Sequence, residues 1–210
     1  MHASAFALLL LVRTYDVAGL AARDMSAARE VSRHILHSAG VDVVWRSCPD
    51  THAPLGKDIR ACSDSPRPDE LVLRIISSLE TRGSSQQIYT LGYSYVDTGV
   101  ATGTLATIFE DRVEQFAQDA GVAASTLLGR TMAHEIGHLL LGTNAHQPRG
   151  LMRASWPAKL LQRQFDSDWV FSPREAERMR DNLARRIAAI YQPVSVPFNC
   201  SSSQALSGAK

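Results

Sequence analysis

The chain has 210 residues, 45% of them hydrophobic and 20% charged, and a formal net charge of +1. This size and composition are typical of a globular domain that buries a sizeable core. The small net charge argues against a nucleic acid or an anionic membrane surface as partner. No apolar run reaches the roughly 18 to 20 residues that cross a bilayer, so we expect no transmembrane segment.

The first feature along the chain is an apolar run, AFALLLLV, over residues 5–12. It has the character of a secretory signal core, but no Lys or Arg precedes it, and Arg13 and Asp16 follow directly. A continuous apolar run is also typical of a buried strand in a parallel sheet. We therefore interpret residues 7–15 as the first strand, with a signal sequence as the alternative.

The next elements follow from side-chain spacing. Residues 25–39 carry apolar side chains at helical intervals and are interpreted as a helix. Three segments rich in aliphatic and β-branched residues are interpreted as strands, namely 41–45, 71–76 and 104–109. A less apolar, tyrosine-rich strand lies within residues 88–97. The first half thus predicts a strand, a helix, a strand, a loop and three strands.

Two of the three cysteines flank a polar loop. Neither Cys48 nor Cys62 lies in an apolar pattern that would bury a free thiol, so we predict a disulfide between them. Two unpaired thiols are the alternative. Cys200 is left over in a serine-rich stretch, and the chain has no C-x-x-C spacing that would indicate a cysteine zinc site.

Two helices are predicted in the second half. Residues 125–141 form an apolar helix that stops at Gly142. A last helix begins after Ser172, where Pro173 and Glu175 complete a capping box. We expect a single domain over residues 1–192, followed by a loosely held tail over 193–210.

The first of these helices carries H-E-x-x-H as His134-Glu135-Ile136-Gly137-His138. Imidazoles four residues apart lie on one helix face and can reach one Zn²⁺ ion, and Glu135 is placed to act as general base. The alternative is a solvated surface pair of histidines. It is disfavoured because the helix is apolar beyond its core stripe, where unpartnered polar groups would be costly.

A catalytic zinc needs a third protein ligand and one open position. Gly142 can take a left-handed conformation and turn the chain back, which brings His146 within reach. We predict His146 as the third ligand. The alternatives are Asn144 and four downstream carboxylates, Asp166, Asp168, Glu175 and Glu177.

This stretch resembles the extended zinc motif of metzincin peptidases, H-E-x-x-H-x-x-G-x-x-H, and Gly150-Leu151-Met152 resembles their Met-turn. Gly142 and His146 are displaced from that motif by one and two positions, and Asn144 stands where it has its third His. The resemblance implies an α+β, zincin-like fold. A mixed, mostly parallel sheet would pack on helices, and Met152 would form an apolar floor beneath the site.

The resemblance further implies a zinc metallopeptidase acting on a peptide or protein substrate. The edge strand over residues 91–97, with Tyr93, Ser94 and Tyr95, would pair with an extended substrate. The class and the disulfide suggest a secreted or periplasmic protein. Two other functions stay open: a zinc hydrolase of a non-peptide amide such as a cell-wall linkage, and a binding module with non-catalytic zinc.

Overall fold

The computed structural model describes residues 7–49, 60–78, 90–163 and 166–191. The strands are β1 (Leu8–Asp16), β2 (Val41–Cys48), β3 (Glu70–Ile76), β4 (Gly92–Asp97) and β5 (Thr102–Phe109). The helices are α1 (Ala22–Ser38), α2 (Arg60–Ser63), α3 (Glu110–Ala120), α4 (Ala124–Leu141), α5 (Ala158–Leu161) and α6 (Pro173–Ile190). None of these helices has the length and apolar character of a membrane span. The predicted tail over 193–210, with Cys200, lies outside the described residues.

The five strands form one sheet in the order β2-β1-β3-β5-β4. β1 is parallel to both of its neighbours, and β3 is parallel to β5. β4 runs antiparallel to β5 and lies at the edge. Its polar, tyrosine-rich composition suits an edge, whereas the apolar strands occupy the buried centre. The predicted fold class, a mixed and mostly parallel sheet packed on helices, is confirmed.

From Leu8 onward, the N-terminal apolar run forms the first part of the strand β1, as its composition predicted. β1 pairs on both sides, with β2 and with β3, and Leu10 and Val12 are fully buried. Their side chains point to the helical face of the sheet, while Arg13 and Tyr15 point to the other face, because side chains alternate along a strand.

The helix α4 is the centre of the core. Every residue from Leu127 to Leu141 is buried. α1 packs so closely along it that a Cβ at Gly129 would lie 2.5 Å from the carbonyl oxygen of Ala28. The polar residues of its motif are therefore enclosed by protein on most sides, and each needs a partner.

The last helix secures the C-terminal end of α4. The side-chain amide of Asn182 donates to the carbonyl of Leu140 at 2.7 Å, and the Arg186 guanidinium donates to that of Leu139 at 3.1 Å. These carbonyls belong to the last turn of the helix, where no further backbone amide follows in register. The α6 side chains therefore satisfy part of the helix end inside the core.

The helix α3 was not among the elements predicted from the sequence. Its buried residues are the small side chains Val113, Ala117 and Ala120, which form a narrow stripe on an otherwise charged helix. The helix follows directly on β5 and ends at Gly121, which is left-handed with φ 67°. The i, i+4, i+7 spacing and this glycine were the available signals.

On the face of the sheet opposite α4, the segment after residue 60 is tied to β1 and β2. The predicted disulfide between Cys48 and Cys62 is present. The Tyr15 hydroxyl donates to the carbonyl of Cys62 at 2.6 Å. Arg13 forms an ion pair with Glu70, and the two side chains are only 4% and 5% exposed. This covalent and ionic cluster holds the returning chain against the sheet.

Candidate metal centre

Two imidazoles meet on the buried surface of α4. His134 and His138 are 7% and 4% exposed. They lie one turn apart with their rings edge to face, and their Nε2 atoms are 3.0 Å from each other. The four-residue spacing of the motif thus brings two nitrogen atoms to one point.

The other nitrogen of each ring is bonded to the backbone. Nδ1 of His134 lies 2.9 Å from the carbonyl oxygen of Leu151, and Nδ1 of His138 lies 2.8 Å from that of Thr143. A carbonyl oxygen only accepts, so each Nδ1 must carry the proton and each neutral ring has its lone pair on Nε2. Two lone pairs then face each other at 3.0 Å, an arrangement that a cation between them would relieve.

Burial also keeps both rings neutral. It lowers the pKa of His134 to about 3, with the neighbouring His138 as a smaller cause in the same direction. It lowers the pKa of His138 to about 4, against the opposing hydrogen bond to Thr143. Neutral imidazoles with free Nε2 atoms are the form that binds metal ions.

The chain turns back after α4 and brings a third histidine to the same point. Gly142 is left-handed with φ 63°, and its amide closes the helix on the carbonyl of His138. His146 is exposed, its Nε2 lies 3.3 Å from that of His138, and its ring stacks on His134 with centroids 5.4 Å apart. Ligand atoms of all three rings lie within 4.8 Å of one another.

Three of the alternative carboxylate ligands lie elsewhere or are engaged otherwise, Asn144 lines the same cavity as the histidines, and the Asp166 side chain lies outside the described part of the chain. Glu175 caps α6 by accepting from the backbone and hydroxyl of Ser172. Asp168 lies 3.8 Å from Arg163, and Glu177 is exposed on α6. Across the described ranges, the three histidines are the one group of three or more His, Cys, Asp or Glu side chains that can share an ion.

Met152 packs against α4 at the glycine of the motif. It is fully buried, and a Cβ at Gly137 would come within 2.9 Å of its sulfur and 2.6 Å of the ring of Phe171. Trp156 packs edge-on against His134 and donates its indole N–H to the carbonyl of Leu151 at 3.3 Å. The absence of a side chain at Gly137 therefore lets α4 pack closely against the apolar side chains of Met152 and Phe171.

Glu135 is 5% exposed and lies between α4 and the edge strand. Burial raises the pKa of its carboxyl to about 7, and a hydrogen bond from Ser94 opposes that rise. Its Oε2 lies 2.7 Å from the Ser94 hydroxyl. A carboxyl with a pKa near neutrality can both take up and release a proton under ordinary conditions.

The predicted edge residues divide between the two faces of β4. Ser94 faces Glu135. Tyr93 and Tyr95 contact each other with ring centroids 5.0 Å apart, and Tyr93 also packs on Phe109. By strand alternation the tyrosine side chains lie on the face away from Glu135. The three residues were predicted to act together as one edge, whereas Ser94 is the one of them that hydrogen-bonds to Glu135 of the motif.

The histidines and Glu135 line a cavity of about 1340 Å³. β4 borders it on one side and the segment after Met152 on another. The unpredicted helix α3 adds a further wall through polar and aromatic side chains, namely Asp111, Gln115, Phe116 and Asp119. A ligand at the three nitrogens would therefore be reachable from a cleft large enough for several residues of a peptide.

The donor set fits zinc. Three imidazole nitrogens are a frequent set of protein ligands for this ion, and the cavity leaves room for the open fourth position of a catalytic site. Two of the rings are already oriented by backbone carbonyls, as metal-binding histidines commonly are. Because the buried lone pairs converge without an intervening proton, the residues are suited to hold the cation.

No protein-family model matches the chain, and no curated protein matches it. Two solved structures are similar. The crystal structure of archaemetzincin from Methanopyrus kandleri has a TM-score of 0.54 at 16% identity, over 84% of this chain and 96% of that one. The crystal structure of metalloproteinase-II from Bacteroides fragilis has a TM-score of 0.53 at 13% identity, over 86% of this chain but only 54% of that one. The chain therefore has an archaemetzincin-like zincin fold.

Proposed function

We propose that this chain is a zinc-dependent metallopeptidase in which His134, His138 and His146 hold the metal and Glu135 is the general base. The observation that carries the proposal is the convergence of three Nε2 atoms beside a buried carboxyl at the wall of an open cavity. Its fold, shared with structures described as an archaemetzincin and a metalloproteinase, supports the same function.

Backbone carbonyls and apolar side chains have separate roles in the proposed peptide hydrolysis. When bound, zinc would supply Lewis-acid activation of a water molecule and of the scissile carbonyl. The carbonyls of Leu151 and Thr143 fix the ring orientations of His134 and His138, so their Nε2 atoms stay directed at the ion. Met152 and Trp156 exclude water from beneath the site.

Glu135 would move the proton. One carboxylate oxygen, Oε2, is bonded by Ser94, which leaves Oε1 to receive the proton of the attacking water. Once it has taken that proton, the carboxyl can give it to the leaving amine. The same group therefore serves as base and then as acid.

The edge strand supports a peptide as the substrate. β4 is paired on one side only, with β5, among the residues that the structure describes. An extended peptide can add to such an edge by backbone hydrogen bonds, and β4 also lines the cavity. The proposed substrates are therefore peptides or proteins bound in extended form.

The disulfide supports an oxidising compartment. Cys48 is buried and bonded to Cys62. Such bonds persist in secreted and periplasmic proteins and are rare in a reducing cytosol. We therefore propose a secreted or periplasmic location.

The test is Glu135→Gln, which keeps the shape of the side chain and removes its capacity to take a proton. Zinc-loaded wild type is incubated with a mixed peptide library, and the variant should retain zinc but lose cleavage by about 100-fold or more. Glu177→Gln, the same change on the exposed face of α6, is the control. A fully active Glu135→Gln protein would overturn the assignment.

Two other outcomes on wild type would redirect the function. Release of amines from a non-peptide amide, with no peptide cleaved, would indicate a different hydrolase. Tight zinc binding with no turnover of either substrate class would indicate a binding module.

A further inference from the structure

The Ser94 hydroxyl contacts Glu135 twice, although 41 residues separate them in the chain. Its Oγ lies 2.7 Å from Oε2 of the carboxyl and 2.8 Å from the backbone oxygen of the same residue. One hydroxyl proton thus has two acceptors on one residue, and it can be donated to either of them. One hydroxyl on the edge strand therefore contacts both the side chain and the backbone of Glu135.

The strand is shaped to approach this carboxyl. Two residues before Ser94, and on the same face, Gly92 has no side chain where a Cβ would lie 3.1 Å from both Cγ and Oε1 of Glu135. A Cβ there would also be 2.9 Å from the carbonyl of Thr107. The carboxyl is thus bordered by backbone at Gly92 and by the hydroxyl at Ser94. β4 is in turn fixed by its pairing with β5, where Ser94 lies opposite the buried Ala106.

The hydroxyl is the side-chain partner that the structure gives to the Glu135 carboxyl within the described residues. A glutamate has three rotatable side-chain bonds, and the largely buried Glu135 side chain borders the cavity. Without the hydroxyl, the carboxyl can turn to other staggered positions. A general base works only within hydrogen-bond reach of the proton that it takes, so such freedom lowers the rate.

We propose that Ser94 is a positioning residue, whose hydroxyl holds the Glu135 carboxyl in the orientation that proton transfer requires. The inference rests on the proposed function for its effect on rate. Its structural part, the control of the Glu135 side-chain orientation, can be tested without any activity. The Ser94 side chain is directed at Glu135, and only the backbone of β4 would pair with a peptide in the proposed scheme.

The experiment compares Ser94→Ala with Ser94→Thr, which restores the hydroxyl, and with Ser47→Ala, an exposed strand serine on β2. For a peptide that wild type cleaves, Ser94→Ala should lower kcat by about 10- to 100-fold and leave KM within about twofold. Zinc content by mass spectrometry and the melting temperature should stay at wild-type values. Ser94→Thr should recover most of the rate, and Ser47→Ala should lose none.

A second readout is the crystal structure of zinc-loaded Ser94→Ala beside that of wild type. We expect the Glu135 side chain to leave its wild-type rotamer or to become disordered in the variant. An unchanged kcat, or a lower kcat accompanied by loss of zinc and a lower melting temperature, would overturn the positioning role. If wild type cleaves no peptide, the proposed function fails, and the Glu135 rotamer alone decides: a side chain that has not moved overturns the inference.

Discussion

The Nδ1 proton of His134 is donated to the carbonyl oxygen of Leu151, 2.9 Å away and 17 residues further along the chain. Leu151 immediately precedes Met152, so the first imidazole of the motif is oriented by the turn that forms its floor. The same oxygen also accepts the indole N–H of Trp156. One backbone carbonyl therefore ties His134 and Trp156 to the turn at residues 151–152.

The first prediction concerns the three ligands. Each of His134→Ala, His138→Ala and His146→Ala should lower zinc affinity by more than about 100-fold, beyond the usual effect of losing an outer hydrogen-bond partner. Titration against a chromophoric chelator measures this. His34→Ala, on the exposed face of α1, should bind zinc like wild type. Full affinity in His146→Ala would show that the third ligand lies elsewhere, with Asn144 the next to test.

The second prediction is that Gly137→Ala destabilises the protein, although alanine is the better helix former by about 1 kcal/mol. The added Cβ would lie 2.6 Å from the ring of Phe171 and 2.9 Å from the sulfur of Met152. Overpacking of this kind costs about 1–3 kcal/mol of unfolding free energy. Guanidinium denaturation measures it. Gly99→Ala, in an exposed turn where the nearest atom is a carboxylate oxygen of Asp97 at 3.2 Å, is the control. Equal stability of the two variants would contradict the packing of α4 on its floor.

The third prediction concerns the disulfide. The two cysteines are separated by 14 positions in the sequence. A disulfide that closes a loop of this size stabilises the folded protein by about 3 kcal/mol, because it restricts the unfolded chain. Cys48→Ala with Cys62→Ala should lower the unfolding free energy by about that amount. Wild type under dithiothreitol should behave similarly, which serves as the check on the alanine substitutions. The zinc content of the double alanine variant should not change. An unfolding free energy of wild type that is the same with and without dithiothreitol would contradict the prediction.

The fourth prediction compares a buried ion pair with an exposed one. Arg13→Met leaves Glu70 buried without its main partner and should cost about 3–5 kcal/mol of unfolding free energy. Arg33→Met breaks the exposed pair with Glu30 on α1, where solvent screens the two charges, and should leave the unfolding free energy nearly unchanged. The double variant Arg13→Met, Glu70→Leu should recover part of the loss. A similar small loss of unfolding free energy in both single variants would show that burial of the Arg13–Glu70 pair does not raise the cost of breaking it.

Local patterns predicted most of the fold. The apolar run at residues 8–12 became part of the interior strand β1, and the helix carrying His134 runs to Leu141 as its spacing and Gly142 indicated. The capping box at Ser172 is present with both of its bonds. Each of these features depends on neighbours within a few positions in the chain, and these are the interactions that a sequence displays directly.

The parts that were missed depend on distant contacts or on weak local signals. α3 has alanine in much of its buried stripe and no polar break before it, so its boundary with β5 is hard to see. The contact between Ser94 and Glu135 requires β4 to occupy the edge next to β5, a pairing that the two segments do not encode by themselves. The placement of His146 followed from Gly142, but the ring contacts with His134 and His138 exist only in the folded chain.

The bonds from Asn182 and Arg186 to the end of α4 have a consequence for the order of synthesis. During synthesis, α4 leaves the ribosome some forty residues before Asn182 and Arg186, which donate to its last carbonyls. Chains begin to fold as they emerge. Until α6 arrives, the last turn of α4 lacks these donors and the core around the histidines is open. We therefore expect a chain truncated before Asn182 to bind zinc poorly, because α6 would be missing from the end of α4.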